Sequence, residues 1–278
     1  MLTTEVVKKI EDFVYQKPRT VQEIASMLKK NWRTADRYVN EISKDFGTLA
    51  TRTFREGTRG ALKIVYWASM EKASHSVFQE KLEQEIMLTR RREDFSAFDI
   101  FQHIPDKNRR ASFERAFDEP YTNLGDLVGV LEKAEKQLLV FSGNLSFINL
   151  KNKDYDIFKV LEGLVKRGVM VKVLCRVDVV GKENIERLLS LNFKYGKDLV
   201  EVRHMQQALR ALVIDNKMFR IKEIREPTGK VHEMSRRAFI FYTIKDKDWA
   251  EWLSRIFWNM FSSSIRAEKR LEEMKKLS

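Results

Sequence analysis

Five arginines near the start of the chain have the type and spacing needed to hold phosphate groups. Arg33 and Arg37 lie four residues apart, and Arg52, Arg55 and Arg59 surround a glycine-bearing turn. A guanidinium can donate paired hydrogen bonds to phosphate oxygens or to a guanine edge. Other polar side chains with similar capacity accompany the first pair, namely Asn31, Thr34, Tyr38 and Asn40. We take these residues as candidate contacts to double-stranded DNA.

The apolar pattern predicts three helices before this turn. Residues 3–16 carry apolar positions on one face and end before Pro18, as expected of a first helix. Thr20 and Glu23 have the spacing of a capping box, which predicts the start of a short second helix. A third helix follows with apolar residues at near-helical spacing and ends near Gly47.

Two extended runs, 49–55 and 61–67, flank the turn and predict a two-stranded ribbon. Three helices followed by a ribbon is the order of a winged helix-turn-helix, whose third helix enters the DNA major groove. We therefore predict a winged helix-turn-helix DNA-binding domain over residues 1–70, which carry a net charge of +5. The alternative is a winged helix used only as a scaffold for protein contacts.

Residues 71–120 predict a mostly helical linker or dimerisation segment with a net charge of −2. Apolar residues between Val77 and Met87 form a stripe at helical spacing, which is typical of a short pairing helix. His75 and His103 have no partners at metal-ligand spacing, so we expect no metal site, and no cofactor is indicated.

From residue 121 onward, predicted helices alternate with strands, which indicates an α/β domain over residues 121–278 with a net charge of +9. Buried strands are predicted at 137–141 and 169–175, and a last helix from about 246 to 275. The expected fold class is therefore a multi-domain α/β protein. It would consist of an N-terminal winged helix-turn-helix, a helical linker and a C-terminal α/β domain.

Three stretches of the last domain resemble a single repeat of the phospholipase D fold: EKAEKQLLVFSGN, LEGLVKRGVMVKVLCR and EVRHMQQALRALVIDNKMF. Active members of that family carry His-x-Lys-x-x-x-x-Asp in the third stretch, with the histidine as nucleophile. Only Asp215 matches, because Arg210 stands at the lysine position and Ala208 at the histidine position. Alanine has no nucleophilic group, so the resemblance implies no catalytic residues and no enzyme. A phospholipase-D-type nuclease is the enzyme alternative.

A winged helix joined to a phospholipase-D-like domain without its catalytic motif is similar to the archaeal TrmB-like transcriptional regulators. In that family the C-terminal domain can bind a small-molecule effector such as a sugar, and some members bind DNA without one. Phospholipase D folds generally bring two motif repeats together. Because this chain has one repeat, the resemblance implies a homodimer.

A pocket for an effector would lie at the carboxyl ends of the central strands. The candidate effector-binding residues there are Ser142, Asn144, Arg176, Arg210 and Asp215. The alternative is that these residues make only structural hydrogen bonds, including an ion pair between Arg210 and Asp215.

The composition limits the remaining classes of function. The chain has 278 residues with 52 Lys and Arg against 40 Asp and Glu, a net charge of +12 that favours a polyanionic partner. No apolar run approaches about 18 residues, so we expect no membrane span. The single Cys175 excludes an internal disulfide. We therefore expect a cytoplasmic, nucleoid-associated transcriptional regulator, with a sequence-nonspecific, chromatin-like DNA coat as the alternative.

Overall fold

The computed structural model describes residues 2–55, 61–68, 76–115, 124–226 and 237–276. These residues form a mixed α/β fold with one three-stranded and one eight-stranded sheet. Of the predicted DNA contacts, Arg59 lies outside the described residues, and only the backbone of Arg55 is described.

Residues 2–68, the N-terminal unit, form three helices and a small antiparallel sheet. In order they are α1 (Thr4–Gln16), β1 (Arg19–Thr20), α2 (Val21–Leu28), α3 (Trp32–Asp45), β2 (Leu49–Arg55) and β3 (Ala61–Trp67). The Thr20 hydroxyl accepts from the Glu23 N–H at 3.1 Å, and the Glu23 carboxylate accepts from the Thr20 N–H at 2.7 Å. The predicted capping box is therefore present, and the three helices and the ribbon lie where the apolar pattern places them.

Residues 76–115 contain α4 (Val77–Leu88), α5 (Phe98–Phe101) and β4 (Arg109–Arg115). The prediction of mostly helical structure was wrong for β4, which pairs antiparallel along its whole length with a strand of the large sheet. Strand preference depends strongly on such partners, which are distant in sequence. Leu82 and Ile86 of α4 are buried in a core shared with the C-terminal part, so this segment packs onto that part.

The C-terminal part alternates helices and strands as predicted. The elements are α6 (Leu124–Leu131), β5 (Gln137–Phe141), α7 (Ile157–Lys166), β6 (Met170–Cys175), α8 (Lys182–Tyr195), β7 (Val200–His204), β8 (Ala211–Ile214), β9 (Met218–Arg225), β10 (Ala238–Ile244), α9 (Lys247–Ser262), β11 (Ile265–Arg266) and α10 (Ala267–Lys275). The predicted last helix is divided into α9 and α10, because the chain pairs with β7 at residues 265–266 before it turns helical again.

The strand order of the large sheet is β11-β7-β6-β5-β8-β9-β10-β4. β5, β6 and β7 are parallel, and the remaining pairs are antiparallel. Side chains alternate across β5, so Leu138 and Val140 belong to a core with α6, α7 and α8, whereas Leu139 and Phe141 belong to a core with α4, α5 and α9. The large sheet therefore lies between two packed helical layers.

The N-terminal unit contacts the C-terminal part at the amino ends of β5 and β6. The Phe46 carbonyl, directly after α3, accepts hydrogen bonds from Gln137 Nε2 at 3.1 Å and from Trp258 Nε1 at 3.2 Å. Asp45 forms an ion pair with Lys136, and the Tyr15 hydroxyl donates to the Ser262 carbonyl at 2.9 Å. These contacts hold the C-terminal end of α3, whereas residues 31–33 at its N-terminal end are exposed.

Candidate functional site

The N-terminal half of α3 carries the predicted cationic surface. Asn31 is the N-cap, and its Oδ1 accepts from the Thr34 N–H at 2.8 Å, so this side chain fixes where the helix begins. Arg33 and Arg37 are both exposed and lie about one helical turn apart on the same face. Arg33 has no salt bridge to any described residue, whereas Arg37 lies 3.6 Å from Glu41. Both guanidinium groups are therefore exposed to solvent in the N-terminal half of the helix, and that of Arg37 has one carboxylate partner.

Tyr38 does not belong to this surface. Its side chain is only 5% exposed, because it lies on the buried stripe of α3 with Ala35, Val39 and Ile42. The sequence prediction grouped it with the polar residues, but its spacing of three residues from Ala35 and four from Ile42 was the signal for burial. Tyr38 therefore packs on the buried face of α3, and the Arg37 guanidinium lies 5.4 Å from the centroid of its ring.

A network that the sequence pattern did not predict joins α3 to the ribbon. The Lys63 ammonium on β3 donates to Asp36 Oδ1 at 2.7 Å and to Asn40 Oδ1 at 2.8 Å. Asn40 Nδ2 also donates to Asp36 Oδ2 at 3.2 Å. The side chain of Asn40, predicted as a DNA contact, is exposed but already hydrogen-bonded to Asp36 and Lys63. The spacing of Asp36 and Asn40 was visible in the sequence, but their partner on a distant strand was not.

The ribbon presents its side chains on two different faces. Thr53 lies opposite Lys63, whose ammonium reaches α3, so the neighbouring Arg52 lies on the other face of the ribbon. Arg52 is exposed, and Arg55 pairs with Ala61 through the backbone. Trp32, which was not among the predicted DNA contacts, is 55% exposed beside Arg33. The described unit thus exposes Trp32, Arg33 and Arg37 on α3, and Arg52 on the ribbon face turned away from Lys63.

Four of the five candidate effector-binding residues line one cavity of about 510 Å³. Ser142 and Asn144 follow β5, Arg176 follows β6, and Arg210 directly precedes β8. The Ser142 hydroxyl accepts from the Leu145 N–H at 3.2 Å, which shapes the loop after β5. The cavity thus lies at the carboxyl ends of the parallel strands, the usual place for a ligand in this class of sheet.

Asp215 is not brought into this group. It follows β8 at the opposite end from Arg210, so these two residues do not form the ion pair considered from the sequence. Its carboxylate accepts backbone hydrogen bonds from Glu135 at 2.8 Å, Lys136 at 2.9 Å and Gln137 at 2.8 Å. Asp215 is therefore a structural residue that holds the start of β5.

No histidine is among the described residues that line this cavity. Ala208 is buried, and His204 lies on β7, where its Nδ1 accepts from the Val177 N–H at 2.9 Å. Burial, together with nearby Arg270 and Arg176, lowers the pKa of His204. Among the described residues there is no cluster of side chains suited to a metal ion, and no helix is long and apolar enough to cross a membrane.

Comparison with known proteins finds similarity only to solved structures. No protein-family model and no curated protein matches the sequence. NUC from Salmonella typhimurium, a phospholipase D family member, covers 56% of this chain and 98% of its own, with 12% identity and a TM-score of 0.40. NucT from Helicobacter pylori covers 57% of this chain and 99% of its own, with 12% identity and a TM-score of 0.38.

TrmBL2, an archaeal chromatin protein, covers 88% of this chain and 88% of its own, with 16% identity and a TM-score of 0.35. These TM-scores are too low to assign a family or a function to the chain.

Proposed function

We propose that the chain is a double-stranded-DNA-binding transcriptional regulator in which residues 2–68 act as a winged helix-turn-helix. The observation that carries this proposal is the pair of exposed arginines, Arg33 and Arg37, on the free end of α3. The other end of α3 is fixed to the C-terminal part through Asp45 and Phe46. A helix anchored in this way can enter a major groove with both guanidinium groups directed at bases or phosphates.

The network of Lys63, Asp36 and Asn40 supports the same role. It fixes the ribbon against α3, so the two elements would contact one duplex as a rigid pair. The network also pairs Lys63 with a carboxylate, so the exposed Arg33 and Arg37 on α3 and the exposed Arg52 on the ribbon are the proposed contacts to a duplex. Because phosphate contacts give affinity and base contacts give specificity, α3 is the element expected to read sequence.

Binding of the full chain to labelled duplexes, measured by fluorescence anisotropy over a range of salt concentrations, tests this proposal. The double variant Arg33→Ala/Arg37→Ala should bind more weakly and depend less steeply on salt, by roughly one unit of slope for each phosphate that the variant no longer neutralises. Lys153→Ala removes an exposed cation in a C-terminal loop and serves as the matched control. Unchanged DNA binding by the double variant would refute the proposal and favour a protein-contact scaffold.

Genome-wide occupancy separates a regulator from a chromatin-like coat. A regulator gives discrete peaks, and removal of a base contact of Arg33 or Arg37 should change sequence preference by about 1–3 kcal/mol. Even coverage of the genome, with the same loss of affinity on every duplex, would instead identify a coat.

We further propose that the chain acts as a homodimer through α4. Leu82 and Ile86 of this helix are buried, but the apolar residues at its two ends, Val77 and Leu88, are 81% and 79% exposed. Burying these side chains against a second copy would remove them from water. Light scattering coupled to size-exclusion chromatography should show a dimer that Val77→Glu/Leu88→Glu converts to a monomer. A monomeric parent protein would contradict this proposal.

We also propose that the C-terminal part has no phosphodiesterase activity. A phosphohistidine mechanism needs a nucleophile beside the cavity, where this chain has the buried Ala208. His204 lies on β7, and its Nδ1 accepts a hydrogen bond from the N–H of Val177 in the loop after β6. A phosphodiester substrate should therefore not be hydrolysed above background, and turnover that His204→Ala abolishes would overturn this proposal.

A further inference from the structure

The cavity at the carboxyl ends of β5 and β6 is not used by the proposed DNA binding. Its volume of about 510 Å³ lies within the range of small-molecule sites, about 300–1,000 Å³. β8, β9 and β10 contribute residues to one side, and Leu127 of α6 and Phe147 contribute to another. The cavity is therefore large enough for a ligand and is built by several elements of the large sheet.

Arg210 has an unused edge of its guanidinium in this cavity. Its Nη1 donates to the carbonyl oxygens of Gln207 at 3.3 Å and Leu209 at 2.7 Å, which fixes the group in place. Its Nε and Nη2 donate to no described residue, and Arg210 forms no salt bridge with a described residue. Nε and Nη2 form the edge that binds two oxygens of a phosphate or carboxylate in parallel.

Gly143 allows this edge to lie against the loop after β5. A Cβ at this position would come within 3.0 Å of Arg210 Nη2 and 3.2 Å of Nε, closer than such atoms normally approach. A side chain at this position would therefore require the guanidinium to shift by a few tenths of an ångström. The glycine and the two fixed carbonyl contacts together hold Arg210 in one orientation.

Further cations line the same cavity. Arg176 is paired with Asp178 at 2.5 Å, and Arg220 is paired with Asp126 at 2.5 Å. Arg220 is only 4% exposed, and its Nε is buried without a hydrogen-bond partner among the described residues. An unsatisfied buried donor costs free energy that a bound acceptor would recover.

Lys222 adds a cation in a poorly solvated position. Its ammonium lies 3.8 Å from the Phe239 ring centroid and 5.7 Å from that of Phe241. Burial lowers the pKa of Lys222 to about 8, with the positive charges of Arg92, Arg210 and Arg237 acting in the same direction and Glu114 opposing them. Burial also lowers the pKa of Arg210, as do nearby Arg92 and Arg176. A bound anion would stabilise the charged forms of both groups.

The remaining lining is mixed, with the polar or charged residues Arg92, Glu114, Ser142, Asn144, Ser146 and Arg237 beside a group of large apolar and aromatic side chains. That group includes Leu124, Leu127, Phe147, Leu150, Phe239 and Phe241. An inorganic anion alone would leave this surface uncovered, whereas a ligand with an apolar or planar group would bury it.

We propose that this cavity binds a small phosphorylated molecule that carries a planar or apolar group, which is the chemistry of a nucleotide. The phosphate lies on the Nε–Nη2 edge of Arg210, with Lys222 adding charge. The planar group lies against Phe147 and Phe239. This proposal gives a chemical class to the small-molecule site expected from the sequence, and it does not depend on DNA binding.

Isothermal titration calorimetry of the full chain with adenosine diphosphate tests the proposal. The expected result is one site per chain, weaker binding of pyrophosphate, and no binding of adenosine, which lacks the phosphates. Arg210→Gln should weaken the affinity for adenosine diphosphate by roughly tenfold or more, since it removes a charge-assisted hydrogen bond. Lys133→Gln, which removes an exposed cation outside the cavity lining, should leave the affinity unchanged.

Leu127→Trp provides a second variant that removes no buried charge. The larger side chain fills the apolar side of the cavity, so it should weaken adenosine diphosphate more than pyrophosphate. Failure of both phosphate compounds to bind the folded protein would overturn the proposal, as would unchanged binding in both variants. If Arg210→Gln weakens duplex DNA and no phosphorylated small molecule binds, the cavity belongs to the DNA surface and the proposal is wrong.

Discussion

Replacement of the buried Glu11 by glutamine should change how the stability of the protein depends on pH. Glu11 lies on α1 and is only 7% exposed, and the Thr48 hydroxyl donates to its Oε1 at 2.5 Å. Burial raises the pKa of Glu11 to about 7 from an ordinary value of 4.5, although the Thr48 hydrogen bond and Lys172 act in the opposite direction. The negative charges of Asp12 and Glu201 also raise the pKa of Glu11.

The sign of the effect follows from proton binding. Between pH 4.5 and about 7 the folded protein holds a proton on Glu11 that the unfolded chain releases, so stability falls as pH rises through this window. A shift from 4.5 to about 7 corresponds to roughly 3 kcal/mol. Above pH 7 the buried carboxylate of Glu11 is ionised in the folded protein, and the folded state is then destabilised by the full roughly 3 kcal/mol.

Urea denaturation of the parent protein and Glu11→Gln at pH 5 and pH 8 measures this cost. The free energy of unfolding of the parent should decrease from pH 5 to pH 8, and Glu11→Gln should show little of this decrease. At pH 8 the variant should therefore be more stable than the parent by up to about 3 kcal/mol. Glu186→Gln, an exposed glutamate on α8, serves as the control and should follow the parent. Equal pH dependence in the parent and in Glu11→Gln would refute the assignment of a raised pKa to this carboxyl.

Three further predictions concern particular side chains of α3, β8 and the cavity. Tyr38→Ala should reduce the free energy of unfolding by about 3–5 kcal/mol, because it removes a large side chain from the buried face of α3. Tyr38→Phe should bind DNA with the affinity of the parent protein. A loss of DNA affinity in Tyr38→Phe would contradict the burial of this side chain. Asp215→Ala should lower the free energy of unfolding by about 1–3 kcal/mol in chemical denaturation, since three backbone N–H groups lose their acceptor. Affinity for adenosine diphosphate should fall as pH rises through about 8, because Lys222 then loses its proton. The charged groups around it are Glu114, Arg92, Arg210 and Arg237. An affinity that stays constant between pH 7 and 9.5 would exclude Lys222 from the site.

Local patterns predicted the elements of this protein better than they predicted its contacts. The capping box at Thr20 and the alternation of helices and strands after residue 121 depend on neighbours within a few residues, and both are present in the structure. β4 was missed because its conformation is set by pairing with β10, more than a hundred residues away. The break between α9 and α10 has the same origin, since residues 265–266 pair with β7.

The candidate site residues also divide into those whose position depends on local sequence and those whose position depends on distant contacts. Arg33 and Arg37 are exposed as their helical positions require, but the exclusion of Tyr38 depends on which face of α3 meets the core. Arg210 and Asp215 are only five residues apart in sequence, but the extended strand β8 lies between them. They therefore lie at opposite ends of this strand and do not pair. Sequence alone also could not show that Lys63 is neutralised by α3.

One strand connects the two surfaces to which we assign function. At its amino end, Gln137 of β5 donates to the Phe46 carbonyl at the end of α3, and its N–H donates to Asp215. At its carboxyl end, β5 leads into Ser142 at the cavity. All five residues of β5 are buried, so the strand spans roughly 17 Å as a fixed element. A ligand that shifts the loop after β5 therefore acts on the same strand that anchors α3, and Gln137→Leu should weaken any effect of the ligand on DNA affinity while leaving ligand binding intact.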